Sequence, residues 1–200
     1  MSARKVVLWD VMGTLVRDPF HSVMPAFFGM NFDEMLQSKD RFAWIDFELG
    51  LISEEEFLTK FFSDRRVFDF GAFSETVEHA YEFLPGAQET LVEMQKHGIE
   101  MHACSNYPNW YRRIERRIGL SRYLNWSFVS CEMGLRKPDL RFFFHAADHL
   151  RLPPQSCVFI DDRMQNCEAA LRAGMDSLHL GAGGIPAIRE DLASLGLIET

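Results

Sequence analysis

The chain has 200 residues, of which 47% are hydrophobic and 25% charged, and its formal net charge is −8 at pH 7. These values are typical of a soluble globular protein of one or two domains. The acidic balance argues against nucleic acid or an anionic membrane as a partner, because both favour a basic protein surface. No stretch approaches the roughly 18 consecutive apolar residues of a membrane span, and the N-terminus lacks the pattern of a secretory signal. We therefore expect a cytoplasmic location.

The first predicted element is a short buried strand that ends in a carboxylate. Residues 5–16 read KVVLWDVMGTLV, so that an apolar run reaches Trp9 and is followed by Asp10 and then by Gly13 and Thr14. Such a run is typical of a parallel strand that is covered on both faces. Because open α/β sheets bind ligands at the carboxyl ends of their strands, Asp10 is a candidate site residue.

The rest of the chain divides into a helical segment and an alternating segment. Residues 17–83 have helical periodicity and no convincing strand, and Ser53 with Glu56 forms a capping box that starts one helix. From residue 84 onward helix and strand patterns alternate, which predicts a parallel sheet with helices on both faces. The predicted strands are 99–104, 128–131, 157–160 and 177–180, and the predicted helices are 85–98, 109–118, 139–150 and 164–173, with a short closing helix after residue 181.

Three later segments also carry polar residues next to apolar runs. Ser105 and Asn106 follow the second predicted strand, Lys137 lies in the loop GLRKPD, and Asp161 with Asp162 ends the strand CVFID. Serine and asparagine side chains can donate hydrogen bonds to an anion, and adjacent carboxylates repel each other unless a cation or a helix terminus neutralises them. The pattern favours a site that handles a charged ligand at the edge of the sheet.

In this order and spacing, Asp-x-x-Gly-Thr, Ser-Asn, Lys-Pro-Asp and Asp-Asp resemble the four motifs of the haloacid dehalogenase-like hydrolases, and the resemblance covers nearly the whole chain. It implies an α/β fold with a Rossmann-like, doubly wound parallel sheet and an inserted, all-helical cap of the small (C1-type) kind. The core domain would comprise residues 1–16 and 84–200, and the cap residues 17–83.

The resemblance also implies catalytic roles. Asp10 would be the nucleophile, and Lys137 would hold both this carboxylate and the transferring group by its charge. Ser105 and Asn106 would bond the phosphoryl oxygens, helped by backbone amides that follow Asp10, and Thr14 would orient the loop. These groups meet the needs of phosphoryl transfer to an aspartate, which are an in-line carboxylate and cations around the phosphoryl oxygens.

A magnesium site is implied at the same place. Its ligands would be Asp10, the backbone carbonyl of Met12 and Asp162, with Asp161 assisting, because Mg²⁺ prefers oxygen ligands and keeps several waters. An alternative for the acidic pair is that it caps the helix that follows it. The expected partner is a small-molecule substrate, a phosphate ester.

One residue departs from the family pattern. Most phosphatases of this superfamily carry a second aspartate two residues after the nucleophile, where this chain has Met12. General acid–base catalysis contributes about 10²–10⁴ in rate, so its loss matters. Three hypotheses stay open. The first is a magnesium-dependent phosphatase that either is restricted to substrates whose leaving group needs little protonation or uses a group of the substrate or cap as the acid. The others are a metal-independent 2-haloacid dehalogenase and a non-catalytic descendant that binds a phosphorylated ligand or a partner.

The predicted cap is the place to look for substrate contacts. His21 could supply the missing proton because its unperturbed pKa suits that work, although a hinge histidine without a catalytic duty is the simpler interpretation. Trp44 is interpreted as cap packing and Glu48 as a surface residue. Four residues near the first hinge could face the cleft: Arg17, Asp18, Phe20 and His21.

Overall fold

The protein contains one parallel sheet, seen in a computed structural model that describes residues 5–199. Within this part of the chain the strands are β1 (Val6–Trp9), β2 (Glu100–Ser105), β3 (Asn125–Val129), β4 (Cys157–Asp161) and β5 (Asp176–His179). Their order across the sheet is β3-β2-β1-β4-β5, and every neighbouring pair is parallel. The predicted Rossmann-like fold is confirmed.

Helices make up most of the remaining regular structure. Five short ones lie between β1 and β2 in the segment that the sequence predicts to be helical: α1 (Val23–Phe27), α2 (Phe32–Ser38), α3 (Ala43–Glu48), α4 (Glu54–Lys60) and α5 (Phe70–His79). The others alternate with the strands: α6 (Ala87–Lys96), α7 (Tyr111–Ile118), α8 (Ser130–Met133), α9 (Leu140–Leu150), α10 (Met164–Arg172) and α11 (Gly184–Ser194).

The central strand β1 is buried on both faces. Successive strand residues point to opposite faces, so Val7 and Trp9 join the core on the side of α6, α7 and α11. Val6 and Leu8 join the core on the side of α9 and α10. This two-sided burial explains the continuous apolar run in the sequence and fixes Asp10 at the edge where the strand ends.

The inserted helices pack through many phenylalanine side chains, and these belong to the same buried cluster as Val7 and Trp9 of β1. Phe28, for example, contacts Phe61, Phe62, Phe68 and Phe73, with ring centroids 4.8–5.4 Å apart. These five side chains are buried or half-buried, so they contribute to internal packing. The predicted capping box is confirmed at the start of α4, where Ser53 and Glu56 exchange hydrogen bonds.

All strands of the sheet lie outside residues 17–83, which supports our proposal that this segment is the cap. The chain enters and leaves this segment at one place, because Arg17 N donates to Glu82 O (3.0 Å) and Leu84 N donates to Leu15 O (2.9 Å). The division into a core of 1–16 and 84–200 and a cap of 17–83 stays a prediction. Residues 1–4 and 200 of the predicted core lie outside the described residues.

One predicted element was misplaced. The strand expected at 128–131 is β3 at Asn125–Val129, and the chain turns into α8 at Ser130. The Ser130 hydroxyl accepts a hydrogen bond from Tyr107 N (2.9 Å) and donates one to Glu48 O. These tertiary contacts, which local sequence cannot report, hold the residue at the start of the helix. Among the described residues, no helix combines the length and apolarity needed to cross a membrane.

Candidate active site

The sheet brings together residues that are far apart in the sequence. Asp10 follows β1 directly. The two neighbours of β1 in the sheet are β2, which ends at Ser105, and β4, which ends at Asp161. Asp10 N donates to Ile160 O (2.8 Å), which continues the β1–β4 pairing for one more residue. The polar residues therefore meet at the carboxyl ends of three neighbouring parallel strands, where α/β sheets bind ligands.

A buried lysine links two of these carboxylates. Lys137 Nζ donates to Asp10 Oδ1 (2.7 Å) and to Asp161 Oδ2 (2.6 Å), and its side chain is only 1% exposed. Asp161 also accepts hydrogen bonds from Arg163 N (2.8 Å) and from the Asn166 amide (3.0 and 3.1 Å). Both oxygens of Asp161 are thus occupied, and this carboxylate fixes the position of Lys137.

The charged groups of this cluster shift one another's pKa values. Burial raises the pKa of Asp10 to about 7; Lys137 opposes this effect, and Asp161 and Asp162 add to it. Burial alone would lower the pKa of Lys137, but Asp10 and Asp161 outweigh it and raise that pKa well above its usual value. Lys137 is therefore a permanent cation beside a carboxylate that is short of stabilising charge.

Three carboxylates next to the turn after β1 lie close enough together to bind a cation. Ligand oxygens of Asp10, Asp161 and Asp162 lie within 4.8 Å of one another. Gly13 has a φ of +82°, and a Cβ there would lie 2.7 Å from Asp162 Oδ2, so only glycine lets the turn approach this carboxylate. Among the described residues no side chain donates a hydrogen bond to the Asp162 carboxylate. Burial raises the pKa of Asp162, and the charge of Asp161 raises it further. Lys137 balances only part of the charge of the three carboxylates, and their oxygen donors fit Mg²⁺.

Backbone groups of the same turn also point to a ligand. Thr14 Oγ1 donates to Asp10 Oδ2 (2.9 Å) and accepts from Asp162 N (3.1 Å), so it ties the turn to both carboxylates. Within the described residues, the amides of Val11 and Met12 and the carbonyl of Met12 have no backbone hydrogen-bond partner. The amides could hold an anion and the carbonyl a metal ion.

The Ser105–Asn106 pair divides into two different arrangements. The Asn106 side chain bonds the backbone of Lys137 at both ends, because Nδ2 donates to Lys137 O and Oδ1 accepts from Lys137 N (2.8 Å each). Asn106 thus positions Lys137, and its direct contact with a phosphoryl group stays a prediction. The Ser105 hydroxyl is buried and has no hydrogen-bond partner among the described residues, and its contact with a phosphoryl group stays a prediction.

A cavity of about 220 Å³ opens above Asp10 and Lys137. The inserted helices and the segment before them contribute Asp18, Phe20, Lys39, Trp44 and Glu48 to its wall. The core contributes Asn106, Tyr107, Arg136, Asp161, Arg163 and Asn166, besides Asp10, Met12 and Lys137. The cavity is therefore charged near its floor and partly aromatic on its upper side.

The predictions for the hinge were right for two residues only. Asp18 and Phe20 line the cavity, but Arg17 and His21 do not. Arg17 pairs with Glu82, and the His21 side chain is 63% exposed and lies 3.9 Å from Asp18. The structure gives His21 no place at the reacting centre, because its ring packs against Phe20 and Phe32 instead.

The interpretation of Glu48 as a surface residue was wrong. Its side chain is 3% exposed and forms an ion pair with Arg136, which immediately precedes Lys137. Burial raises the pKa of Glu48, while Arg136, a hydrogen bond from Trp44 and Arg163 oppose that rise. A charged residue is usually exposed, but the tertiary fold turns Glu48 toward the cavity, where Arg136 pairs with it.

Sequence reasoning missed several residues of the cavity wall. Asn166 lies in the first turns of α10, five residues after Asp161, a spacing that could have revealed it. Arg136, Arg163 and Lys39 carry no local signal, because single basic residues in loops are common on protein surfaces. Only the folding of the insert over the sheet shows that they face the same space.

Comparison with known proteins agrees with this geometry. The sequence pattern of the haloacid dehalogenase-like hydrolase family matches residues 4–174. The chain belongs to the haloacid dehalogenase-like hydrolases. The family resemblance expected from the four motifs is thereby confirmed, and the protein is a hydrolase by descent.

Two curated relatives show which hydrolases are similar. The chain is 43% identical over 192 residues to the chloroplastic flavin mononucleotide hydrolase 1 of Arabidopsis thaliana, covering 96% of this chain and 78% of the relative. It is 29% identical over 100 residues to the phosphoglycolate phosphatase of Pseudomonas savastanoi, covering 50% of this chain and 37% of the relative. Phosphatases are thus among its relatives. The cytoplasmic location stays a prediction.

Solved structures share the fold. A haloacid dehalogenase family enzyme of Bacteroides thetaiotaomicron superposes with a TM-score of 0.74 at 18% identity, covering 98% of this chain and 99% of that chain. The same enzyme has been solved with magnesium and inorganic phosphate, with a TM-score of 0.70 at 18% identity, covering 90% and 96%. At this identity the likeness concerns the fold alone.

Proposed function

We propose that the protein is a magnesium-dependent phosphatase that forms an aspartyl-phosphate at Asp10, and that its substrate is a small organic phosphate such as flavin mononucleotide. The convergence of Asp10, Asp161 and Asp162 around Lys137 carries the proposal. A dehalogenase of this family has no metal requirement and generally lacks the acidic pair, so the retained carboxylates favour a phosphatase.

The residues of the site have separate duties in this proposal. An oxygen of Asp10 attacks the phosphorus, and the Lys137 ammonium balances the charge of the phosphoryl group. The Ser105 hydroxyl and the amides of Val11 and Met12 donate to the phosphoryl oxygens. Preorganised donors of this kind stabilise the transition state because they need no reorientation during the reaction.

Magnesium would be held by Asp10, the Met12 carbonyl and Asp162, where it supplies positive charge to the phosphoryl oxygens. Asp161 supports this arrangement by holding Lys137, and Thr14 ties the turn to Asp10 and to the backbone of Asp162. Asn106 holds Lys137 from the other side through its backbone.

Flavin mononucleotide is the first substrate to test because the chain covers most of the Arabidopsis flavin mononucleotide hydrolase at 43% identity. Two features of the cavity wall support this choice. Phe20, Trp44 and Tyr107 line it with aromatic rings that can pack on a flat ring system, and Arg136 and Arg163 add positive charge.

The test compares the wild type with Asp10→Asn on flavin mononucleotide, an activated aryl phosphate and 2-haloacids, with and without Mg²⁺. We expect Mg²⁺-dependent release of inorganic phosphate by the wild type and a loss of at least about 10³-fold in Asp10→Asn, because a covalent step has lost its nucleophile. Asp33→Asn, at an exposed position of α2, is the matched control and should keep full activity.

Other outcomes would contradict the proposal. Metal-independent release of halide would establish the dehalogenase. Binding of phosphate esters without turnover of any substrate would support the non-catalytic descendant, and turnover that survives Asp10→Asn would exclude an aspartyl intermediate at this residue.

A further inference from the structure

The site has a nucleophile and cations, but Met12 stands where the proton donor is expected. An alkyl phosphate releases a strongly basic alkoxide, whose departure is faster when a positioned group gives it a proton. Such a donor must reach the cavity above Asp10, must carry a proton near neutral pH, and must not be committed to another partner.

Most groups around the cavity fail one of these conditions. Glu48 is paired with Arg136, and Asp18 accepts a hydrogen bond from Phe20 N as the cap of a short helix. The Tyr107 hydroxyl is bonded to the Tyr81 hydroxyl (2.9 Å), and burial raises its pKa well above the usual value. Arginine keeps its proton in proteins, which excludes Arg136 and Arg163.

Lys39 meets all three conditions. It lies just after α2, lines the cavity together with Asp10, and is half-buried. Within residues 5–199 its ammonium makes no hydrogen bond or ion pair. The ammonium lies over the Phe20 ring, 4.7 Å from its centroid. An aromatic face attracts a cation but takes no proton from it, so the proton remains available.

The surroundings of Lys39 also adjust its acidity and its position. Burial lowers the pKa of the Lys39 ammonium, and the charge of Glu48 offsets part of this effect. Phe20, Ala43 and Trp44 lie with Lys39 around a small apolar cavity next to the main one, so its methylene stem has apolar surface on which to lie. The ammonium is thereby a better acid than a lysine in water.

We propose that Lys39 is the general acid of this hydrolase and replaces the aspartate that is absent at Met12. The proposal rests on the proposed phosphatase function. In the first step Asp10 forms a bond to phosphorus, the bond from phosphorus to the ester oxygen breaks, and its electron pair stays on that oxygen. The Lys39 ammonium gives the oxygen a proton, the alcohol leaves, and Lys39 becomes a neutral amine.

The second step returns the proton. Water attacks the phosphorus of the aspartyl-phosphate, and the Lys39 amine accepts a proton from this water. The bond between phosphorus and the Asp10 oxygen breaks, its electrons return to the carboxylate, and inorganic phosphate leaves. One ester and one water are thus consumed, one alcohol and one phosphate are formed, and Lys39 regains its ammonium form.

The experiment measures the first turnover with enzyme in excess, so that alcohol release reports the first step alone. Wild type, Lys39→Met, Lys39→Arg, Asp10→Asn and the exposed-site control Lys96→Met are compared with Mg²⁺ present. The alkyl esters are flavin mononucleotide and glycerol 2-phosphate, and the aryl ester is p-nitrophenyl phosphate, whose leaving group needs little protonation. Circular dichroism and the melting temperature establish that each variant is folded.

We expect Lys39→Met to slow alcohol release from both alkyl esters at least about 100-fold, because their leaving groups need a general acid. The release of p-nitrophenol should change by less than about 3-fold, because this leaving group needs little protonation. Lys39→Arg should be as slow as Lys39→Met on the alkyl esters, because a guanidinium keeps the charge but gives up no proton. Lys96→Met should match the wild type on every ester.

The remaining outcomes overturn the proposal. Equal losses on alkyl and aryl esters would mean that Lys39 serves binding or structure, and full recovery in Lys39→Arg would mean that only its charge matters. A wild type that hydrolyses the aryl ester but neither alkyl ester has no working acid. Absence of Mg²⁺- and Asp10-dependent turnover of the aryl ester would refute the phosphatase function itself, and the role of Lys39 with it.

Discussion

Gly13 illustrates how strongly a single residue constrains this site. It turns the chain directly after the strand that carries Asp10, and its backbone lies against the carboxylate of Asp162. A side chain there would meet two obstacles, the left-handed backbone conformation and the oxygen of a proposed metal ligand. The glycine therefore serves both the turn and the spacing of the carboxylates.

We expect Gly13→Ala to lower magnesium affinity or phosphatase activity by about 10–100-fold, the range seen when the support of a metal ligand is disturbed. The added Cβ would lie 2.7 Å from Asp162 Oδ2 and must displace it. Magnesium titration followed by phosphate release measures both effects. Gly134→Ala is the control, since Gly134 has a φ of +65° and nothing within 4 Å of an added Cβ. Equal effects of the two substitutions would refute the role of Asp162 spacing.

The sequence correctly predicted that Asn106 lies at the site, but it did not predict that the Asn106 side chain binds the backbone of Lys137. The sequence marks it as a donor at a strand end, and the structure brings it to the site, but its amide holds the backbone of Lys137. An amide that donates and accepts at once satisfies both backbone groups of one residue. Motif spacing cannot distinguish such a positioning contact from a contact with substrate.

At the scale of elements, the end of α3 is attached closely to the start of α8. Glu48 O accepts from the Ser130 hydroxyl, and the Glu48 carboxylate pairs with Arg136. Two residues later, Gly50 has a φ of +72°, and a Cβ on it would lie 2.5 Å from Cys131 O. The inserted helices are thus held against the core next to the loop that carries Lys137.

We expect Gly50→Ala to reduce the free energy of unfolding by about 2–5 kcal/mol, from roughly 1–2 kcal/mol of left-handed backbone strain and about 1–3 kcal/mol of overpacking. The matched control is Gly29→Ala, also in the insert, because Gly29 has a φ of +65° but no atom within 4 Å of an added Cβ. Gly29→Ala should reduce the free energy of unfolding by the backbone strain alone, roughly 1–2 kcal/mol. Urea denaturation measures both, and equal losses would show that the contact with Cys131 is unimportant.

The molecule as a whole is acidic, with a formal net charge of −8, and three of its carboxylates, those of Asp10, Asp161 and Asp162, lie together in the site beside one lysine. Burial and mutual repulsion raise the pKa of Asp162, and burial does the same for Asp10. Local cations, not the overall charge, must therefore attract an anionic substrate. A bound divalent cation would remove this repulsion and stabilise the folded state.

We expect saturating Mg²⁺ to raise the melting temperature. At a concentration 100 times the dissociation constant, a ligand bound only by the folded state adds about 2.7 kcal/mol, which corresponds to roughly 5–10 °C for a chain of this size. Asp162→Asn should abolish most of the shift because it removes a proposed ligand, whereas Asp191→Asn, at an exposed position of α11, should preserve it. Differential scanning calorimetry with and without EDTA gives the comparison, and a full shift in Asp162→Asn would exclude this site.

Much of the fold could be predicted because its signals are local. The apolar runs ending at Trp9 and Ile160 predicted β1 and β4, and alternation after residue 84 predicted a parallel sheet. The boundary at Ser130 failed because its hydroxyl is held by groups from Tyr107 and Glu48. A helix that begins through contacts distant in sequence has no signature in the residues around it.

The sequence by itself determined the family, the sheet and the carboxyl-end position of Asp10, Ser105 and Asp161, because strand burial and motif order depend on neighbouring residues. Only the tertiary structure decided what surrounds them. It engaged Asn106 with Lys137, buried Glu48 against Arg136, left His21 outside and brought Lys39 into the cavity. These outcomes depend on how the inserted helices lie on the sheet, and that arrangement is set by packing between segments far apart in the chain.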